Sequence, residues 1–147
     1  MDAILKPASK HVDFESVLKY ADVTNDYNPV HVDKAFADAS PMGGIIAHGT
    51  MSVALIWQAL KNSLGLDALS RIQLEIRFVR PVRIGDTVTG GGALEQGVGN
   101  VYEVWVKNQA GQEVIMGTAT LKPTGVGSSL PTTPGPSRDR ADERQAN

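Results

Sequence analysis

Cysteine is absent from this 147-residue chain, and that absence removes disulfides, thiolate nucleophiles and cysteine metal sites from consideration. Basic charge is not in excess: the formal net charge is −2 and the sequence pI about 5.9. The cationic surface that phosphate-backbone binding needs is therefore missing, and no nucleic-acid partner is expected. Long apolar runs are lacking too. The strongest, Met51 to Leu60, is interrupted by Ser52 and Gln58, whereas a membrane span takes roughly 20 apolar residues. Met1 to Lys10 contains no apolar core of a secretory leader. The expectation is a soluble, cytoplasmic protein with no membrane association.

What is present suffices for one core. Hydrophobic residues make up 41% of the chain and charged residues 20%, the balance of a single globular domain. Asp13 can cap a helix in which Phe14, Val17, Leu18 and Ala21 share a face, ending near Val23. Thr24 to Pro29 then reads as a structured turn. Asp33 to Ala39 fits a short helix, and Ser40-Pro41-Met42-Gly43-Gly44 a flexible connection overhanging a cleft. From Thr50 to Leu64 the chain is helix-compatible and apolar on nearly every side, with Gly49 at its start and Gly65 at the C-terminal cap position. That helix should be buried on most faces.

Beyond it the period changes to two. Ile72, Leu74, Ile76 and Phe78 form one face of a strand, and Arg71, Gln73, Glu75 and Arg77 the other. Pro81 to Asp86 ends it. Further strands are expected at Thr87–Leu94, Asn100–Asn108 and Glu113–Leu121, joined by hairpin turns at residues 96–100 and 109–112. A buried helix followed by an antiparallel meander makes an α+β fold, a curved sheet around a central helix, over residues 1–122. Residues 123–147 turn to Gly, Ser, Thr, Pro and charge, the composition of a disordered tail. So small a sheet leaves a long edge, which a second copy would cover, so a homodimer is expected.

The chemistry concentrates in Asp26-Tyr27-Asn28-Pro29-Val30-His31. Hydrating an α,β-unsaturated thioester requires a base to activate water at the β-carbon, an acid for the α-carbon, and donors for the enolate oxygen. Asp26 and His31 are the candidate acid–base pair. Five residues apart, they are aligned by neither one helix turn nor one strand face, so a bend across Asn28-Pro29 is needed.

This hexapeptide, completed by Ala37, resembles the Asp-x-Asn-Pro-aliphatic-His motif of the MaoC-like or R-specific enoyl-CoA hydratases, which have a hot-dog fold. Ile46-Ala47-His48-Gly49 resembles the turn that opens that family's central helix. Phe78-Val79-Arg80-Pro81-Val82-Arg83-Ile84-Gly85-Asp86 is similar to its Pro-Val-x-x-Gly-Asp bend. The three blocks run in family order over roughly residues 12 to 122. The resemblance implies reversible hydration of a trans-2-enoyl-CoA to an (R)-3-hydroxyacyl-CoA. It implies that Asp26 and His31 hold the attacking water, that Asn28 shapes their loop, and that the Gly49 N–H stabilises the enolate. No metal and no cofactor are implied beyond the coenzyme A or acyl-carrier thioester of the substrate. Asn25 departs from the glycine or acidic residue common before the aspartate, and the segment between Phe36 and Ile46 is short.

Other readings compete. A hot-dog thioesterase would direct water at the carbonyl carbon, and a non-catalytic subunit of a heterodimeric dehydratase would lack the pair. A branched, dicarboxylic or aromatic-pathway acyl group would alter only the substrate. His48 is assigned to helix entry rather than proton transfer, and His11, near a mobile N-terminus, to no role. His31, His48 and Asp33 lack compact metal-ligand spacing. Gly90-Gly91-Gly92 and the later Gly97-x-Gly99 sit in no strand-to-helix context that would bind phosphate, and read as bulges or turns. Arg71, Arg77, Arg80 and Arg83 read as solvated rather than phosphate-binding, Trp57 and Tyr102 as core or interface aromatics, and Tyr20 and Tyr27 as flanking the site.

Overall fold

Asp13 and Asp33 each start a helix by accepting a main-chain hydrogen bond three residues on. The computed structural model describes residues 3–124, so the tail expected from residue 123 lies outside the described residues from residue 125 onward. Asp13 accepts from the Ser16 N–H at 2.7 Å and opens α1 (Phe14–Thr24). Asn28 accepts from Val30 N–H, and with Pro29 as first residue it opens α2 (Pro29–Val32), one turn long. Asp33 accepts from Phe36 N–H at 3.1 Å and opens α3 (Lys34–Ala39). These caps satisfy donors that a helix start leaves without intrahelical partners.

The central helix, α4 (Gly49–Leu64), ends at Gly65, whose φ of 87° is a conformation that suits glycine. Its buried face is Met51, Ser52, Leu55, Ile56, Ala59 and Leu60. Thr50, Ala54, Gln58 and Lys61 form an exposed strip, so the helix is less enclosed than its composition suggests. Burial of Ile56 and Leu60, both 0% exposed, contributes about 1.5–3 kcal/mol each.

A 3₁₀ turn, Leu66–Arg71, leads into the sheet. The strands are β1 (Ala8–His11), β2 (Ile72–Phe78), β3 (Thr87–Leu94), β4 (Val101–Lys107) and β5 (Glu113–Leu121), ordered β1-β3-β4-β5-β2 and antiparallel throughout. The sheet is open, with β1 and β2 at its edges, and α4 packs across β1, β3 and β4. The three expected strands after residue 86 and both hairpin turns are present.

Four expectations are corrected. β1 was not anticipated, because Ala-Ser-Lys-His carries no apolar alternation. It pairs with β3, Leu5 is 2% exposed, and His11 Nδ1 lies 3.0 Å from Thr87 Oγ1, so the chain before α1 is fixed to the sheet. Gly90, Gly91 and Gly92 are neither bulges nor turns but continuous strand, in unbroken register with β4. Their value is closeness: a Cβ at Gly90 would sit 2.7 Å from the main-chain carbon of Leu55, so glycine lets α4 rest directly on β3. Phe78 leaves the buried face of β2 and is 58% exposed. Its ring lies instead against Gly49, at the first residue of α4. Residues 40–44 form a hydrogen-bonded turn, with Ser40 Oγ donating to Ala37 O at 2.6 Å and the Met42 and Gly43 N–H groups returning to Ser40.

Candidate active site

The left-handed residue Asn25, φ 55°, ends α1 and turns the chain toward Asp26. The Asp26 carboxylate accepts from the Asn28 N–H at 3.2 Å, an Asx turn that leads into the Asn28 cap and α2. This is the bend that the five-residue separation demands. Two bonds then tie α2 to the strand-like segment before α4: the Ile46 N–H donates to Val30 O at 3.2 Å, and His31 Nδ1 donates to Ile46 O at 2.7 Å. A carbonyl only accepts, so Nδ1 of His31 carries the hydrogen, and in the neutral ring Nε2 has the lone pair.

His48, 2% exposed, occupies the N-cap position of α4, yet its side chain caps nothing. Its Nε2 donates instead to the main-chain carbonyl of Asp26 at 2.9 Å, which leaves the lone pair on Nδ1. Among the described residues that buried Nδ1 has no partner. The His48 ring stacks on His31 with centroids 4.0 Å apart and an interplanar angle of 28°. A carboxylate oxygen of Asp26 and one ring nitrogen each of His31 and His48 lie within 4.8 Å of one another. Asp26 is exposed, His31 half-buried and His48 buried. Asp33 stands apart from this group, its carboxylate engaged in capping α3.

The expected pair is thus brought together with two companions, whose contacts the sequence did not show. His48 is the first. Tyr20 is the second: its hydroxyl donates to Thr50 Oγ1 at 2.6 Å and its ring lies 5.0 Å from that of His48. Tyr27 turns away, 52% exposed, and donates to Asp22 at 2.6 Å, a bond that raises the phenol pKa above its usual value.

A cleft of about 300 Å³ opens at this point, lined by His31, His48, Gly49 and Ser52 on one side and by Met42, Phe78, Val82 and Val114 on the other. It is apolar apart from the imidazoles, Ser52 and Arg80. Because the His48 side chain caps no N–H, Gly49 brings to the cleft it lines the partial positive charge of a helix start. The Phe78 ring leans over Gly49, with Cε1 only 2.7 Å from where a Cβ would project.

The third sequence block holds the floor. Val82 O accepts from Ala47 N–H, Asp86 accepts from the Arg83 N–H at 2.9 Å, and Gly85, φ 94°, donates to Val12 O. Of the four arginines, Arg71 and Arg80 donate to the Lys122 and Glu113 carbonyls and Arg77 to the Met116 sulfur. Arg83 joins Lys34 and Asp38 along a neighbouring cleft of about 400 Å³. Tyr102 is core, 0% exposed, and Trp57 packs half-buried against the same cluster.

The MaoC like domain family model matches residues 2–118. The chain belongs to that family. It is 37% identical over 79 residues to a 3-hydroxybutyryl-CoA dehydratase of Methylorubrum extorquens, covering 54% of this chain and 50% of that protein. It is 32% identical over 81 residues to an (R)-specific enoyl-CoA hydratase of Rhodospirillum rubrum, covering 55% and 56% respectively. The chain therefore spans about half the length of the curated relatives it matches. Over 80% of both chains it superposes on the unliganded R-hydratase of Pseudomonas aeruginosa with a TM-score of 0.64 and 28% identity. The open sheet with its central helix is a hot-dog fold, as the MaoC-like resemblance implied. Among the described residues, no helix of this MaoC-like domain is long and apolar enough to cross a membrane.

Proposed function

We propose that this domain is a hydro-lyase that interconverts a trans-2-enoyl-CoA and an (R)-3-hydroxyacyl-CoA. The observation that carries the reading is the proximity of the Asp26 carboxylate to His31, which lines one apolar cleft together with the Gly49 helix start. With Nδ1 engaged by Ile46 O, His31 Nε2 takes a proton from water, and the Asp26 carboxylate accepts the second O–H and aims the oxygen lone pair at the β-carbon. Protonation of the α-carbon by the same pair completes syn addition. The Gly49 N–H receives the thioester oxygen as charge builds on it. Asn28 keeps the loop in shape through its cap to Val30. The names of the dehydratase and (R)-hydratase relatives support the reaction class and the configuration. No cofactor is required, because the thioester activates the double bond.

The working unit is a homodimer paired along the β2 edge. Coenzyme A is the carrier, since the net charge of −2 disfavours an acidic carrier protein.

The test follows enoyl absorbance and free thiol together when purified protein meets crotonyl-CoA and longer enoyl-CoAs. Enoyl loss without thiol release supports hydration. Thiol release with the enoyl group intact means a thioesterase, and activity in neither assay removes the proposal.

A further inference from the structure

The tautomers set by two main-chain carbonyls leave three electron-pair donors and no hydrogen between them. His31 gives its hydrogen to Ile46 O and His48 gives its hydrogen to Asp26 O, so Nε2 of the first and Nδ1 of the second present lone pairs. The Asp26 carboxylate only accepts. One water molecule has two O–H bonds and cannot satisfy three acceptors. His48 Nδ1 is a buried acceptor without a partner among the described residues, an unfavourable state that a bound group would relieve, so the cluster is poised for a cation.

We propose that Asp26, His31 and His48 form a binding site for a divalent transition ion of the zinc class, whose binding shuts off water activation at this cleft. Two imidazoles and one carboxylate are ligands that zinc, nickel and copper accept, while the harder magnesium and calcium prefer all-oxygen sets. One ligand atom of each residue lies within 4.8 Å of the others, and around a tetrahedral zinc with bonds of about 2.0–2.2 Å the ligand atoms are about 3.3–3.6 Å apart. The closure this asks for draws on Asp26, the exposed member, whose carboxylate gives up its 3.2 Å bond from the Asn28 N–H. The two imidazoles, stacked at 28° with centroids 4.0 Å apart, must turn out of the stack about their anchoring hydrogen bonds, because a shared ion lies in the plane of both rings. Three protein ligands leave a fourth position at the cleft for water, and the metal consumes both lone pairs that the hydration step would use. The metal inhibits rather than assists.

Binding is independent of the hydratase reading; inhibition rests on it. The experiment titrates zinc chloride into the untagged, chelator-treated full chain by calorimetry, beside Asp26→Asn, His31→Gln, His48→Gln and, as control, His11→Gln. Circular dichroism of each variant checks its fold. One zinc per chain is expected, with affinity lowered at least about tenfold in each of the first three variants and unchanged in His11→Gln. Crotonyl-CoA hydration by the metal-free protein should be full, fall as zinc is added, and return with EDTA. No zinc uptake, or uptake that folded Asp26→Asn and His31→Gln leave unaltered, overturns the site. Zinc uptake that needs the three residues in a protein inactive toward every enoyl-CoA upholds the site and removes the hydratase reading instead.

Discussion

His48 donates to the main-chain carbonyl of Asp26 while its ring stacks 4.0 Å from that of His31. One buried imidazole thus sets the distance between two groups on different elements. The loop after α1 and the turn of α2 are fixed to the start of α4 through it. Removing this side chain should therefore damage catalysis without removing a proton carrier. His48→Ala is expected to lower kcat about tenfold or more with little change in KM. His48→Gln, whose amide can still reach Asp26 O, should recover part of the loss. Equal, full activity in both variants would show that the stack positions nothing.

For the pair itself, Asp26→Asn and His31→Ala should each reduce crotonyl-CoA turnover by about 10²–10⁴-fold. Both residues are at least partly exposed and neither is in the core, so the circular dichroism and melting temperature should stay near wild type. Folded variants with near-normal rates would end the acid–base assignment.

Gly49 offers a cycle of variants. Alanine there would drive its methyl into the Phe78 ring. That ring is 58% exposed and can swing aside, so Gly49→Ala should fold yet lose about tenfold to a hundredfold in activity as the ring and first amides shift. Adding Phe78→Ala should restore most of it. A double variant no better than Gly49→Ala would refute the steric account.

The strand glycines predict a stability contrast. Gly90→Ala presses on the backbone of Leu55, which cannot yield as a side-chain tip can, and should destabilise by about 1–3 kcal/mol or more. Gly99→Ala meets nothing within 4 Å and should be neutral in urea unfolding. Equal midpoints for the two variants would contradict the close seating of α4 on β3.

A pH effect follows from Asp13. Its hydrogen bonds from Ser16 hold the carboxyl below the ordinary aspartate range. A depressed folded value means that the cap's stabilisation is complete above the unfolded pKa and is lost as pH falls through the folded one. Asp13→Ala should melt below wild type at neutral pH, and the gap should close once the medium is acid enough to protonate the cap. A gap that persists there would assign the cost to helix propensity instead.

Much of this molecule is written locally. Asp13, Gly65 and the alternation of Ile72, Leu74 and Ile76 specify their elements because caps, left-handed turns and strand faces depend on residues a few positions apart. The Asp26–His31 segment was readable for the same reason: its Asx turn, Asn28 cap and Pro29 start lie within six consecutive residues. The remainder depends on contacts between distant parts of the chain. His48 meets Asp26 across 22 residues and Tyr20 meets Thr50 across 30. Phe78 comes to rest on Gly49, far from it along the chain, and β1 is a strand only because β3 offers it an edge. Such partnerships have no period, so they leave no pattern along the chain. Sequence alone therefore singled out the residues proposed for the chemistry; the packing of α4 against the loops decided their spacing, their hydrogen-bond partners and the cleft beside them.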